Sequence, residues 1–401
     1  MDIKKQVLVN TCGNTVYLAA LWLLTVITTQ IFGYEGIGTL TLAMAIGNTV
    51  AMIQLYGVRS YQSSDVEFHH SSKDYLFARC LTAVAGCLVG AAICLMMEYP
   101  YEKSLAIVLF ILVKTSETFS DVLFGNDQRA GHLEFAGYSM AVRGVLLVGL
   151  FWGISALFQN LNTALWVTAF GMFALSLGLD LPVHNHTVKG IYSIDHGVWG
   201  ILIDCFPLFI ATLIPVIITA FPRIVLERYF GGEILGLYGN VSTPALLLTT
   251  VIPTILTALL PTYGKAFQNR DYQSIRSIWL KSLAGTAMIT FVCIVGAVLF
   301  GRPVLTFVYT EEISPYVNYL YSILVAMMLY TMTMCNNTTL ISMRRNWGVM
   351  MTSFIPLLVC LGTSLPLIRS LGVNGAISVL VISYGLQTTI QAMWIMRICN
   401  T

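Results

Sequence analysis

Leu105–Gly125 reads LAIVLFILVKTSETFSDVLFG. It is about twenty residues long, enough to cross a bilayer as a helix, yet it carries Lys114, Glu117 and Asp121 well inside it. At 100° per residue these three positions fall within roughly 60° of one another, so one helical face holds them all. A charge facing lipid costs at least about 3 kcal/mol on the mildest scale, and three on one face would oppose insertion. That face must look into protein or water.

The rest of the chain supplies the protein around it. Of 401 residues, 57% are hydrophobic and only 10% charged, against about 25% charged in a soluble domain. The chain is an integral membrane protein on composition alone. A net charge of +2 gives no basic field for nucleic acid. The nine cysteines sit mostly inside apolar runs, as Cys80, Cys87 and Cys94 do, with no CxxC pair; they read as packing residues.

Apolar runs of spanning length fall at 10–32, 37–57, 75–97, 104–124, 135–158 and 162–181, then at 199–222, 234–259, 278–300, 316–341, 347–368 and 373–396. They predict about twelve transmembrane helices in an all-α fold. Lys4 and Lys5 precede the first run, which has no small-residue cleavage site and reads as a retained span rather than a signal peptide. Lys and Arg crowd alternate loops (Lys4, Lys5, Arg59, Lys73, Arg79, Lys265, Arg270, Arg276), leaving Lys103, Arg223, Arg228, Arg302 and Arg369 on the other side. The asymmetry predicts cytoplasmic termini and cytoplasmic loops at 58–74, 182–198 and 261–277.

Two sets of six suggest a duplication. Phe32–Gly38 and Phe230–Gly236 both read F-G-x-E-x-x-G, each between the first two spans of its set. An even number of spans per set gives repeats of one orientation, related by an axis along the membrane normal. The domains expected are an N-lobe at 1–181, an inter-lobe loop at 182–198 and a C-lobe at 199–401.

Several stretches carry a family likeness: GNTVYLAALWLLTVI (13–27), YGVRSYQSSDV (56–66), KTSETFSDVLFGNDQ (114–128), FPRIVLERYFGGEILGLYGNVSTPA (221–245) and LLPTYGKAF (259–267). Taken together the chain resembles the Wzx-type polysaccharide-unit flippases of the multidrug/oligosaccharidyl-lipid/polysaccharide exporter superfamily. The resemblance implies two six-helix lobes around a central cavity; the chain is at the short end for the family, and no helices beyond twelve are expected of it. It implies movement of undecaprenyl-diphosphate-linked oligosaccharide across the cytoplasmic membrane by alternating access. Membrane lipids and the enzymes of surface-polysaccharide assembly would be the partners.

Within that reading, Glu117 and Asp121 are candidates for H⁺ or Na⁺ coupling, because like charges four apart on a helix repel and separate their proton affinities. Lys114 and Arg143, read as the only Lys or Arg deep within spans, are candidates for the diphosphate, with Arg223 near the outer mouth. Arg143 could equally pair with Glu117 at similar depth. Asn336 and Asn337 make the tenth span polar, for a sugar-facing wall or for helix–helix hydrogen bonds. Arg59, Gln62 and Asp65 read as loop anchors. His184-x-His186 lacks a third ligand at metal spacing. Pro244, Pro253 and Pro261 mark bends in the eighth span. No phosphate loop, nucleophile elbow or metalloprotease helix is present. The chain therefore reads as a non-enzyme without cofactor or metal. The alternatives are an ion-coupled drug-type exporter of the same superfamily and, more remotely, a polysaccharide polymerase or membrane glycosyltransferase, for which the outer loops are short.

Overall fold

A computed structural model describes residues 3–64, 70–187, 197–343 and 345–400. All its regular elements are helices: α1 (Ile3–Leu55), α2 (Val58–Ser64), α3 (Ser72–Met97), α4 (Tyr101–Arg129), α5 (Glu134–Phe158), α6 (Leu161–Leu175), a π turn (Ser176–Asp180) and α7 (Leu181–Thr187), then α8 (Val198–Ser242), α9 (Leu246–Gln268), α10 (Tyr272–Val308), α11 (Tyr319–Ser342), α12 (Asn346–Leu371) and α13 (Val373–Asn400). Helices are what lipid demands, since every backbone N–H and C=O must find its partner within the segment. Among the described residues nine helices are long and apolar enough to span, and two of these, Lys5–Gln62 and Val198–Ala245, are of double length. α4 is not among the nine because its charges break every apolar window. The arm of α8 beyond Gly231 is too short to cross alone and continues through a 3₁₀ turn into α9 as one span. With the two bends and α4, the crossings among the described residues come to twelve, as the apolar runs predict.

The two double helices bend at the repeated motif. Gly33 adopts φ 66°, ψ −167° and Gly231 adopts φ 82°, ψ 175°, a region that a side chain all but forbids. Nothing lies within 4 Å of where a Cβ would stand at either site. Glycine is required there by backbone conformation, not by space. Other ends are set by local chemistry. Ser71 and Asp74 close a reciprocal capping box at the start of α3, Asn160 caps α6, and Asp271 caps α10.

The chain divides into two compact units, Met1–Leu213 and Ile214–Thr401; the division falls within α8. In the first, Val58, Tyr75, Ala78 and Val122 bury against Ile201 and Cys205 of the first turns of α8. α1 and α5 meet backbone to backbone: a Cβ at Gly137 would overlap Val9 and Asn10, and one at Gly13 would overlap Gly137. Such small-residue crossings are how helices pack closely where lipid removes the hydrophobic driving force. In the second unit α12 and α13 form a tight hairpin, and α11 packs on α9, α10 and α13.

Three expectations need correction. The loop at 58–74 begins with a helix, α2, too short to show a period. The sixth span does not stop at 181 but runs on to Thr187. Pro182 is tolerated because the π turn shifts the hydrogen-bond phase just ahead of it, with the Leu181 N–H donating to the Ser176 carbonyl. The first arm of α8 extends well past 222 to the bend at Gly231, so Arg223 lies inside a helix rather than after one.

Candidate functional site

The charged face of α4 meets its partners inside the first unit, in three clusters along the helix. In the first, Lys114 Nζ donates to Glu117 Oε2 at 2.8 Å, the Tyr17 hydroxyl of α1 donates to the same oxygen at 2.6 Å, and the ammonium sits 5.7 Å from the Tyr17 ring centroid. The Lys114 side chain is 9% exposed and that of Glu117 27%. The pair thus holds a cation at mid-helix and keeps an opening to its surroundings on the Glu117 side.

One turn on, Asp121 is held by two arginines, by Arg59 of α2 at 2.8 Å and by Arg79 of α3 at 3.2 Å. Arg79 is wholly buried and also bonds the Gln54 carbonyl, which accepts from Thr82 as well. Its neighbour Gln62 donates to the Val122 carbonyl and to Asn126. Glu117 and Asp121 therefore do not share a site; each carboxylate has cations of its own. Lys114 and Arg143 are not the only deep cations, since Arg79 is a third. On sequence Arg79 lies near the end of its span and reads as interfacial. The signal that could have found it is its place four residues inside the apolar run, facing the same end as Asp121.

The third cluster is closed. Arg143 of α5 is buried and donates through Nη2 to Asp180 at 2.9 Å, to Ser120 at 2.7 Å and to Ser176 at 2.9 Å, and through Nη1 to Ser116 at 3.2 Å. Ser120 and Ser139 each donate to Asp180 at 2.6 Å. The ion-pair partner of Arg143 is thus Asp180, not Glu117. Asp180 escapes a sequence reading because it stands at the expected end of its span. The π turn carries the helix onward and turns that carboxylate inward.

Below this cluster, His184 of α7 meets the buried Asp127 at 3.2 Å, while His186 is exposed. Asp65 lies outside the described residues. In the second unit Arg223 packs over the Tyr238 ring at 5.8 Å. Asn336 accepts from Trp279 of α10 at 2.7 Å and donates to the Thr388 carbonyl of α13 at 3.1 Å, and Asn337 accepts from Gln391 at 2.8 Å. Both asparagines join helices. Pro244 lies in a 3₁₀ turn, Thr243–Ala245, that threads α8 into α9.

This arrangement is all-helical, membrane-spanning and duplicated at its bends, and it has a known architecture. The chain is similar over nearly its full length to solved MATE transporters. These are the MATE multidrug transporter DinF-BH (TM-score 0.71, 16% identity, 99% of this chain and 96% of that one) and an inward-facing multidrug resistance MATE family transporter of the MOP superfamily (0.70, 16%, 97% and 94%). The MATE transporter VcmN of Vibrio cholerae is similar as well (0.64, 13%, 99% and 97%). The chain has the MATE transporter fold.

In sequence it is 24% identical over 216 residues to the capsular polysaccharide biosynthesis protein CapF of Staphylococcus aureus, a match covering 51% of this chain and about half (53%) of that protein. No protein-family model matches the chain.

Proposed function

We propose that the protein is a transporter that flips undecaprenyl-diphosphate-linked oligosaccharide units across the cytoplasmic membrane by alternating access, with both termini cytoplasmic. The observation that carries this reading is the cation of the first cluster, Lys114, held part-buried beside the more open Glu117. A diphosphate entering an apolar helical wall loses hydration and needs a cation to replace it. Glu117 holds Lys114 in place until the anionic headgroup competes for it, and its released carboxylate can then take a proton or Na⁺. Asp121 couples in the same way through Arg59 and Arg79. Arg143, with its terminal nitrogens engaged by Asp180 and three serines, holds α4, α5 and the π turn together rather than meeting substrate. The likeness to CapF supports polysaccharide chemistry.

A second reading, an ion-coupled exporter of small molecules, is favoured by the multidrug transporters among the structural neighbours. One experiment separates the two. Flipping of labelled lipid-linked oligosaccharide and efflux of a cationic dye are measured in proteoliposomes of the wild type, Lys114→Ala, Glu117→Gln and Asp121→Asn, across pH and Na⁺. The flippase reading expects lipid flipping that Lys114→Ala abolishes at normal abundance, and an ion dependence altered by Glu117→Gln or Asp121→Asn. Dye efflux without lipid flipping would establish the exporter instead.

A further inference from the structure

The second unit contains a site of different character. α9 and α10 enclose a cleft of about 310 Å³, walled by Ile252, Leu256, Ile278 and Ile289, with Gly285 opening its floor and Lys281 at its edge. That volume lies at the lower end of small-molecule sites. Lys281 is exposed and makes no hydrogen bond or ion pair with the described residues, and no carboxylate lines the cleft. Lys265, Arg270 and Arg276 are exposed at the same end of the unit, while the nearby Asp271 is occupied in capping α10. Above Lys281, α10 is the least enclosed of the apolar helices and presents Met288, Phe291 and Val292 outward, a face that lipid covers.

The cleft therefore asks for two things at once. Its walls exclude a hydrated ion, and its unpaired ammonium calls for an anion at the boundary between apolar wall and basic end. An amphiphile with one anionic headgroup and an extended hydrocarbon tail meets both. A zwitterionic headgroup would bring a second cation toward Lys265, Arg270 and Arg276. We propose that this cleft is a binding site for one anionic glycerophospholipid, its phosphate on Lys281 and an acyl chain along Ile252, Leu256 and Ile289. The proposal stands apart from the Lys114 cluster and does not depend on what that cluster transports.

The test uses the purified full chain in phosphatidylcholine nanodiscs doped with phosphatidylglycerol that carries a photoreactive diazirine on its acyl chain. Adducts are mapped by peptide mass spectrometry. Labelling is expected in the α9 and α10 segments that line the cleft, displaced by unlabelled phosphatidylglycerol. Lys281→Gln should lower it about fivefold, the loss of one surface charge acting on an anionic lipid, and Lys281→Arg should keep it. Gly285→Leu should block it, because a Cβ at Gly285 meets nothing within 4 Å and the added side chain enters the cleft. Elution and melting profiles matching the wild type establish that each variant is folded. Equal labelling of the cleft by a phosphatidylcholine probe would overturn the proposal. So would labelling unchanged by both Lys281→Gln and Gly285→Leu, or displacement by polyprenyl phosphate but not by phosphatidylglycerol.

Discussion

α4 and α11 are the fourth helices of their respective sets, and both are polar inside a membrane, yet they solve the problem differently. α4 works with charge. Around it the first unit buries Arg79, Lys114, Asp127, Arg143 and Asp180, each beside an ionised or ionisable partner. α11 works with neutral amides and hydroxyls. Asn336, Asn337 and Thr333 reach Trp279, Gln391 and Thr388, with Gln387 and Ser353 continuing the belt to α12. A neutral hydrogen bond joins helices with little desolvation cost, whereas a buried ion pair is at best a near balance of large terms. Among the described residues the first unit holds both an open pair, Lys114–Glu117, and a closed one, Arg143–Asp180, while α11 joins its neighbours through neutral groups.

The sharpest way to break this comparison is to unpair the closed cluster. Arg143→Ala leaves Asp180 buried without its cation and should destabilise the detergent-purified protein by about 3–5 kcal/mol. Replacing both, as Arg143→Met with Asp180→Leu, should recover most of that. Unchanged melting of Arg143→Ala would show that the charged cluster does not hold the helices. In the neutral belt, Asn336→Leu strands the Trp279 N–H and should cost about 2 kcal/mol. A loss as large as that of Arg143→Ala would erase the distinction between the units.

The bends test what the units share. Gly33→Ala and Gly231→Ala should each cost about 1–2 kcal/mol, for the same backbone reason. A large loss at one and none at the other would mean the repeat is one of sequence only.

The smallest effect lies in the loop that leads into α10. The Ser274 hydroxyl and backbone N–H donate to the Asp271 carboxylate and hold its pKa below the usual value. Because the folded value is the lower one, the contribution is complete above the unfolded carboxylate range and is lost as pH falls through the depressed value. A pH series of melting temperatures should show a slight acid-side loss that Asp271→Asn, still a competent cap, removes. A loss that instead sets in as pH rises would contradict the assignment.

The sequence by itself determined the class and the count. Long apolar runs can only be satisfied in lipid as helices, and the glycines repeated in F-G-x-E-x-x-G are the residues that let two adjacent helices turn tightly. It also placed Lys114, Glu117 and Asp121 on one face, since a helical period is a local property. Only the tertiary structure decided who pairs with whom. Arg143 finds Asp180 rather than Glu117 because a π turn, which has no signal in composition, rotates the end of the sixth span inward. Arg79 becomes a deep cation because α2 folds back beside Asp121, and a seven-residue helix is too short to announce itself. Asn336 looked the same on sequence whether it faced a sugar or Trp279. Partner choice among buried polar groups depends on helix rotation and on fractions of a turn, which hydropathy does not encode.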